Sequence, residues 1–258
     1  MILANLAKAI REQNYYAVFL EFVIVVVGVL LAFQISAWSA NRANRALALD
    51  SLDRLASDLE MERANWQHTL DYYSSTRAHA LRALEAYRNP PDAPGEALLI
   101  DLYQASQQWN VTARTGTYDE LVATGRIAFI DDEDLRALLT NHYERTGARS
   151  LTLRDPSDYR ERIRSDMDER VQLEIRARCN DSYVTDEFNY VFLRLPESCD
   201  LDLPVDLMQQ EAERLLAMSE IQRSLRFHLA ILESRLGTIE NGVLTSEITL
   251  EAVREAIE

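Results

Sequence analysis

The sequence predicts an all-α protein in which one transmembrane helix over residues 15–38 is followed by a mainly helical extramembrane bundle with a long first helix. Three observations predict it. From Ala17 to Ile35 every residue is apolar except Glu21 and Gln34, and nineteen helical residues reach about 28 Å against a hydrocarbon core of about 30 Å. Leu52, Leu55, Leu59, Trp66, Leu70, Tyr73, Ala80 and Leu84 then recur at mostly three- and four-residue steps, with no Pro or Gly between Asn41 and Asn89. Most later segments return to the same helical spacing.

Residues 1–14 place Ile2, Leu3, Leu6 and Ile10 on one stripe with Lys8 and Arg11 away from it, the pattern of an amphipathic interfacial turn leading into the span. Tyr15 and Tyr16 at one end of the apolar run and Trp38 at the other suit headgroup depth. A buried strand would seldom need so long a run without punctuation. A cleaved signal peptide fits less well, because the polar leader is long, although Ser36-Ala37-Trp38-Ser39-Ala40 keeps that reading open. Within the span, Glu21 is either a tolerated interfacial carboxyl or a polar contact to another transmembrane helix, since a charge at helix centre costs about 2.5–3.5 kcal/mol. Gly28 and Ala32 make a small-xxx-small pair. Glu21 and Gln34 are 13 positions apart, which turns the helix about 220° beyond whole turns, so they face different sides.

Residues 40–88 read as one helix of about 70 Å continuing from the span as a stalk. Glu62 and Arg77 fall on its apolar seam, which favours a helix packed into a bundle over a regular coiled coil. Asn89-Pro90-Pro91-Asp92-Ala93-Pro94-Gly95 ends it. A helix through Leu98, Leu99, Leu102 and Tyr103 follows, and Thr117 with Glu120 forms a capping box for a short helix that Gly125 closes in left-handed geometry. Asp131 is expected to cap the next helix, with Asp134 at N3 and Leu135, Leu138, Leu139 and Tyr143 inward. Residues 156–178 read as one charged helix burying Tyr159, Ile163, Met167, Val171 and Ile175. The stretch from Cys179 to Pro204 is the least helical, with one possible strand, Tyr190 to Leu195, whose partner the sequence does not locate. Pro204 opens a helix with a clean stripe from Leu215 to Leu236 and Gly237 as its cap; after Asn241-Gly242 a last helix carries Ile248, Leu250, Val253 and Ile257.

Lys plus Arg is 27 and Asp plus Glu is 42, a formal charge of −15, and residues beyond 45 carry 23 basic against 40 acidic side chains. Such a surface repels phosphate backbones, so nucleic-acid binding is not expected. Cys179 and Cys199, alone in the chain, suit one disulfide in an oxidising compartment, the competing reading being two buried thiols. With Lys8 and Arg11 before the span and Arg42 and Arg45 after it, charge alone leaves orientation near a tie. The cysteines favour a cytoplasmic amino terminus and an exported carboxy-terminal domain.

Glu21-Phe22, the aliphatic run to Gly28, and Leu30-Leu31-Ala32-Phe33-Gln34-Ile35-Ser36-Ala37-Trp38 resemble the amino-terminal signature of an uncharacterised family of bacterial single-pass membrane proteins. The members have an E-aromatic-aliphatic run-G-x-x-aliphatic-x-x-Q-aliphatic-x-x-W pattern; this chain has Ser39-Ala40-Asn41 where many read Asn-Glu. Tyr118-Asp119-Glu120-Leu121-Val122-Ala123-Thr124-Gly125-Arg126-Ile127 resembles a second block, continued by Leu135, Leu138 and Tyr143. The resemblance stops near residue 145. It implies a bacterial inner membrane, with the domain in the periplasm, and no activity.

No GxSxG elbow, phosphate loop or dinucleotide glycine run occurs, and His68, His79, His142 and His228 form no metal-ligand spacing. The acidic cluster Asp131-Asp132-Glu133-Asp134 lacks the alternation of a calcium loop. No enzyme, cofactor or metal is expected. The expected partners are the lipid bilayer and another membrane protein or copies of the same chain, met through Glu21, Gly28, Ala32 and Gln34. A sensor would ordinarily want a cytoplasmic output domain, which 14 residues do not make. That leaves an accessory or scaffolding subunit, with a periplasmic ligand-binding or sensing module on a simple anchor as the alternative.

Overall fold

A computed structural model describes residues 15–109, 114–154, 157–186 and 189–258, so the amphipathic segment at 1–14 lies outside the described residues. The fold is all-α around one helix, α1, Tyr15–Arg88, whose 74 residues extend about 110 Å. No break separates the apolar run from the stalk. Only Gly28 interrupts its run of ordinary helix formers, and Asn89-Pro90-Pro91 ends it because proline supplies no N–H and disfavours helix in the residue before it.

The chain continues through α2 (Glu96–Gln104), α3 (Gly116–Ala123), a 3-10 turn (Arg126–Phe129), α4 (Glu133–Thr152), α5 (Asp158–Asp166) and α6 (Glu169–Arg178). A hairpin of β1 (Ser182–Thr185) and β2 (Val191–Arg194) precedes α7 (Val205–Ala217) and α8 (Ser219–Ile257). The 39-residue α8 lies antiparallel on α1, as the partners Arg77–Glu233, Trp66–Gly242, Glu62–Ser246 and Glu60–Arg254 show. α4 completes a three-helix section with them.

Several helix ends depart from the sequence reading. Gly237 and Asn241-Gly242 do not end a helix; α8 runs through them, and the break falls at Met218, which takes extended backbone with φ −86° and ψ 91°. Gly242 is needed for close approach, since a Cβ there would come within 2.6 Å of the Trp66 ring. The charged helix expected over 156–178 is two helices, because the Asp168 side chain accepts the Arg170 N–H and starts α6 afresh. All five of its expected core residues are nonetheless buried.

Two caps move. Asp132, not Asp131, caps α4 by accepting the Leu135 N–H at 3.0 Å, and Asp131 pairs instead with Arg45. α3 has Thr115 at its N-cap; Thr117 donates to Asp58, and Glu120 pairs with Arg54. Gly125 does adopt the left-handed conformation, φ +70°. The strand expected at 190–195 finds its partner in Ser182–Thr185, antiparallel with Val184 opposite Phe192. The Phe192 ring, buried between hairpin and stalk, stacks on His68 with centroids 3.5 Å apart.

Candidate functional site

The apolar end of α1 exposes its whole surface. It is the one described helix long and apolar enough to cross a membrane; its most apolar window has mean hydropathy 2.7 and none of it is buried. Gly28, Ala32 and Gln34 lie fully exposed on this segment and Glu21 partly so. Nothing in the bundle approaches Gly28, where a Cβ would find open space. Glu21 and Gln34 share one uninterrupted helix, so the turn of about 220° between them stands. Ala32 continues toward the bundle into a shallow groove with Ser36, Ala40 and Ala43. Gly28, Ala32, Ser36 and Ala40 therefore form a four-residue repeat of small side chains, longer than the single pair read from the sequence.

Cys179 and Cys199 are joined by a disulfide with Cα atoms 5.5 Å apart. It ties the end of α6 to the irregular segment that leads into α7, enclosing the hairpin. Cys179 is fully buried, and Gln104 on α2 donates to its carbonyl.

Deeper in the bundle is a polar layer whose members the sequence did not connect. Glu62, 3% exposed, accepts at Oε1 from Trp66 Nε1 at 3.2 Å, Thr146 Oγ1 at 3.0 Å and Ser246 Oγ at 3.4 Å. His142 Nε2 lies 3.2 Å from the same oxygen without hydrogen-bond alignment, while its Nδ1 meets Thr249 Oγ1 at 3.2 Å. Glu62 Oε2 and the neighbouring Asn65 Oδ1 have no hydrogen-bond partner among the described residues. Burial and the Glu62 carboxylate raise the Tyr143 phenol well above its ordinary value. The one available signal was Glu62 interrupting an apolar stripe, since its partners come from α4 and α8.

An acid and an imidazole in contact invite a catalytic reading, but neither Glu62 nor His142 lines a described pocket. A groove of about 930 Å³ opens between Glu60, Arg63, Tyr190 and the end of α8, where Glu247, Glu251, Glu255 and Glu258 line it. No group of three or more His, Cys, Asp or Glu among the described residues is placed to hold a metal.

The remaining histidines are held in structural contacts. His68 Nε2 meets Asp186 at 3.2 Å, His79 Nδ1 meets Asp101 at 2.7 Å, and buried His228 Nε2 meets the Ala105 carbonyl at 2.8 Å. Burial pushes His228 down to about 4, so the ring is neutral and donates to that carbonyl.

A sequence profile described as a family of unknown function (DUF6090) matches residues 21–155, just over half of the chain, and the chain belongs to this family. No curated protein matches it. No solved structure matches it either.

Proposed function

We propose that this protein is a membrane-anchored accessory or scaffolding subunit of a larger bacterial membrane assembly, crossing the inner membrane once with its amino terminus cytoplasmic and its acidic bundle periplasmic. The observation that carries this reading is the continuity of α1, whose exposed apolar end and bundle spine are one helix. Each Val, Leu, Ile or Phe kept in water forgoes about 1.5–3 kcal/mol of burial. From Phe19 to Trp38 such side chains stand exposed in series, a total on the order of tens of kcal/mol that lipid or a partner helix removes. The disulfide supports export to an oxidising compartment.

The small-residue repeat from Gly28 to Ala40 supports a close helix contact on one side, with Glu21 and Gln34 as polar contacts at two depths. Because those two face different ways, they engage more than one neighbour, either copies of this chain or another membrane protein. A rigid α1 then sets the height and orientation of the bundle over that assembly.

Gentle native purification from the source membrane, with identification and stoichiometry of every co-migrating chain, tests this. A fixed-stoichiometry complex that disperses when residues 18–38 are replaced by an unrelated apolar helix is the expected result. A lone monomer unaffected by that replacement would favour the second reading, a periplasmic ligand-binding module on a simple anchor, for which the open groove beside Arg63 supplies the observation.

A further inference from the structure

We infer that the groove between α4 and α8 is a binding site for a small soluble oxyanion, a phosphate, sulfate or carboxylate group. The groove is a shallow, open depression of about 590 Å³, lined by Arg145 and Arg149 from one helix and by Ser234, Gly237 and Thr238 from the other. Its lining contains no carboxylate. In a chain with 42 acidic side chains against 27 basic ones, that is a local inversion of charge.

Arg149 anchors the argument. It is 8% exposed, and it donates from Nη1 to Thr245 Oγ1 at 3.0 Å and from Nη2 to Asn241 Oδ1 at 2.5 Å. Both acceptors are neutral. No carboxylate oxygen lies within 4 Å of it among the described residues, and these two bonds use two of the five donors of a guanidinium. Burial and neighbouring Arg145 hold its pKa below the ordinary arginine range, with Glu62 opposing them in part from the polar layer. A buried cation whose influencing carboxylate, Glu62, is already engaged by Trp66, Thr146 and Ser246 is an incomplete electrostatic arrangement.

Arg145 stands one turn earlier on the same helix, exposed, and likewise forms no ion pair among the described residues. Like charges at this spacing destabilise a helix, and an anion bridging them reverses the sign. Across the groove, the exposed Ser234 hydroxyl can donate to the same anion, while the Thr238 hydroxyl donates to the Ser234 carbonyl at 3.0 Å. Gly237 lies between them in mid-helix, where glycine costs about 1 kcal/mol relative to alanine. Nothing lies within 4 Å of where its Cβ would be, so its absent side chain leaves the groove floor clear.

Position along α1 distinguishes a soluble anion from a lipid headgroup. Asn241 adjoins Gly242, which touches Trp66, and Trp66 is 28 residues beyond Trp38, about 42 Å of helix rise. A headgroup layer at Trp38 does not reach the groove. The inference does not depend on the assembly reading above.

The test uses the full chain in nanodiscs of neutral lipid, titrated calorimetrically with sodium phosphate and, separately, sodium sulfate at constant ionic strength, with thermal melts in parallel. Saturable binding and a rise in melting temperature are expected. Arg145→Gln, which removes an exposed side chain with no ion-pair partner, weakens binding at least about tenfold. Gly237→Leu, which fills the floor, abolishes it, and the remote Arg88→Gln leaves it unchanged. Absence of saturable binding up to 10 mM of both anions (about the weakest affinity compatible with two charge-assisted contacts) overturns the inference. So does stabilisation of Arg145→Gln and Gly237→Leu by the anions to the same extent as the unsubstituted chain, which marks a general salt effect. Protection seen only in nanodiscs of anionic lipid overturns the soluble source and assigns the site to headgroups.

Discussion

Along α1, Leu52, Leu55 and Leu59 enter one apolar cluster and the residues from Trp66 to Leu84 enter another, with Glu62 and Asn65 between them. The cluster nearer the apolar end of α1 is built mainly from long helices, where α4 and α8 supply Leu135, Leu139, Tyr143, Leu250 and Val253; Leu121 of α3 and Ile130 after the 3-10 turn join them, and Tyr118 stacks on Tyr143 at 4.3 Å. The farther cluster gathers more short pieces, α2 and α5 to α7, against α1 and the first half of α8. Short elements leave many backbone carbonyls without helical partners, and buried carbonyls must be paired. The farther cluster meets this need with side chains: Tyr159 donates to the Leu102 carbonyl at 2.7 Å, Tyr87 to that of Leu215 at 2.9 Å and Tyr73 to that of Trp109 at 3.0 Å. It also has the disulfide. The more short elements a cluster gathers, the more of its buried carbonyls are fastened by side chains and not by helical partners.

The largest expected effect is at the layer joining the two clusters. Glu62→Leu strands Trp66 Nε1, Thr146, Ser246 and His142 around an apolar side chain, and breaking such a buried arrangement costs about 3–5 kcal/mol. Glu62→Gln keeps an acceptor and recovers most of that loss. Urea unfolding of the two variants, followed by circular dichroism, checks it. A loss under about 1 kcal/mol for Glu62→Leu would show that the clusters do not depend on the polar layer.

Removing the disulfide sharpens the contrast within one half. Closing a loop of 20 positions is worth about 3 kcal/mol in the chain-entropy account. Cys179→Ser with Cys199→Ser should therefore destabilise the farther cluster, with hydrogen exchange accelerating over 182–204 before α4. Equal acceleration in both regions would mean that they open as one unit.

Acid provides a comparable test. His228 has a folded value of about 4 against an ordinary 6.5. A depressed pKa means that the unfolded chain takes up the proton first. The contribution of neutral His228 is thus fully present above about pH 6.5 and is lost as pH falls toward about 4. The difference corresponds to about 3 kcal/mol. Stability measured at steps through that window should fall, and His228→Phe should flatten the fall while lowering stability throughout, since the Ala105 carbonyl loses its donor. An unchanged slope would place the acid sensitivity elsewhere.

The same contrast explains what could be read without coordinates. Long stripes on α1 and α8 are repetitive, so a local pattern suffices, and the apolar helical run, the stalk and the proline break follow from it. The disulfide followed from there being only two cysteines around an irregular stretch. What escaped depends on groups distant in sequence. Gly242 reads as a terminator until Trp66 is opposite it, and Ser182–Thr185 is too short and too polar to announce a strand before Val191–Arg194 pairs with it. Glu62 was visible as an impurity in a stripe, but its partners were not. The charge inversion at Arg145 and Arg149 is likewise hidden, because it depends on which residues of α8 lie across from them.

The smallest expected effect separates two adjacent aspartates at the start of α4. Their sequence context is nearly equivalent, and Asp131 looks like the cap until the backbone is seen. Asp132 has extended φ and ψ and accepts the Leu135 N–H, satisfying a donor that the first turn would otherwise leave unpaired. Asp131 instead meets Arg45 in a pair whose side chains are 75% and 74% exposed, where solvent screens the attraction. Asp132→Ala should cost about 1 kcal/mol and loosen the first turn of α4 against the nearer cluster. Asp131→Ala should cost no more than about 0.5 kcal/mol, a difference that disappears in high salt. Thermal melts of the two variants at low and high salt distinguish them, and a larger loss for Asp131→Ala would return the cap to that residue and shift the start of α4 by one position.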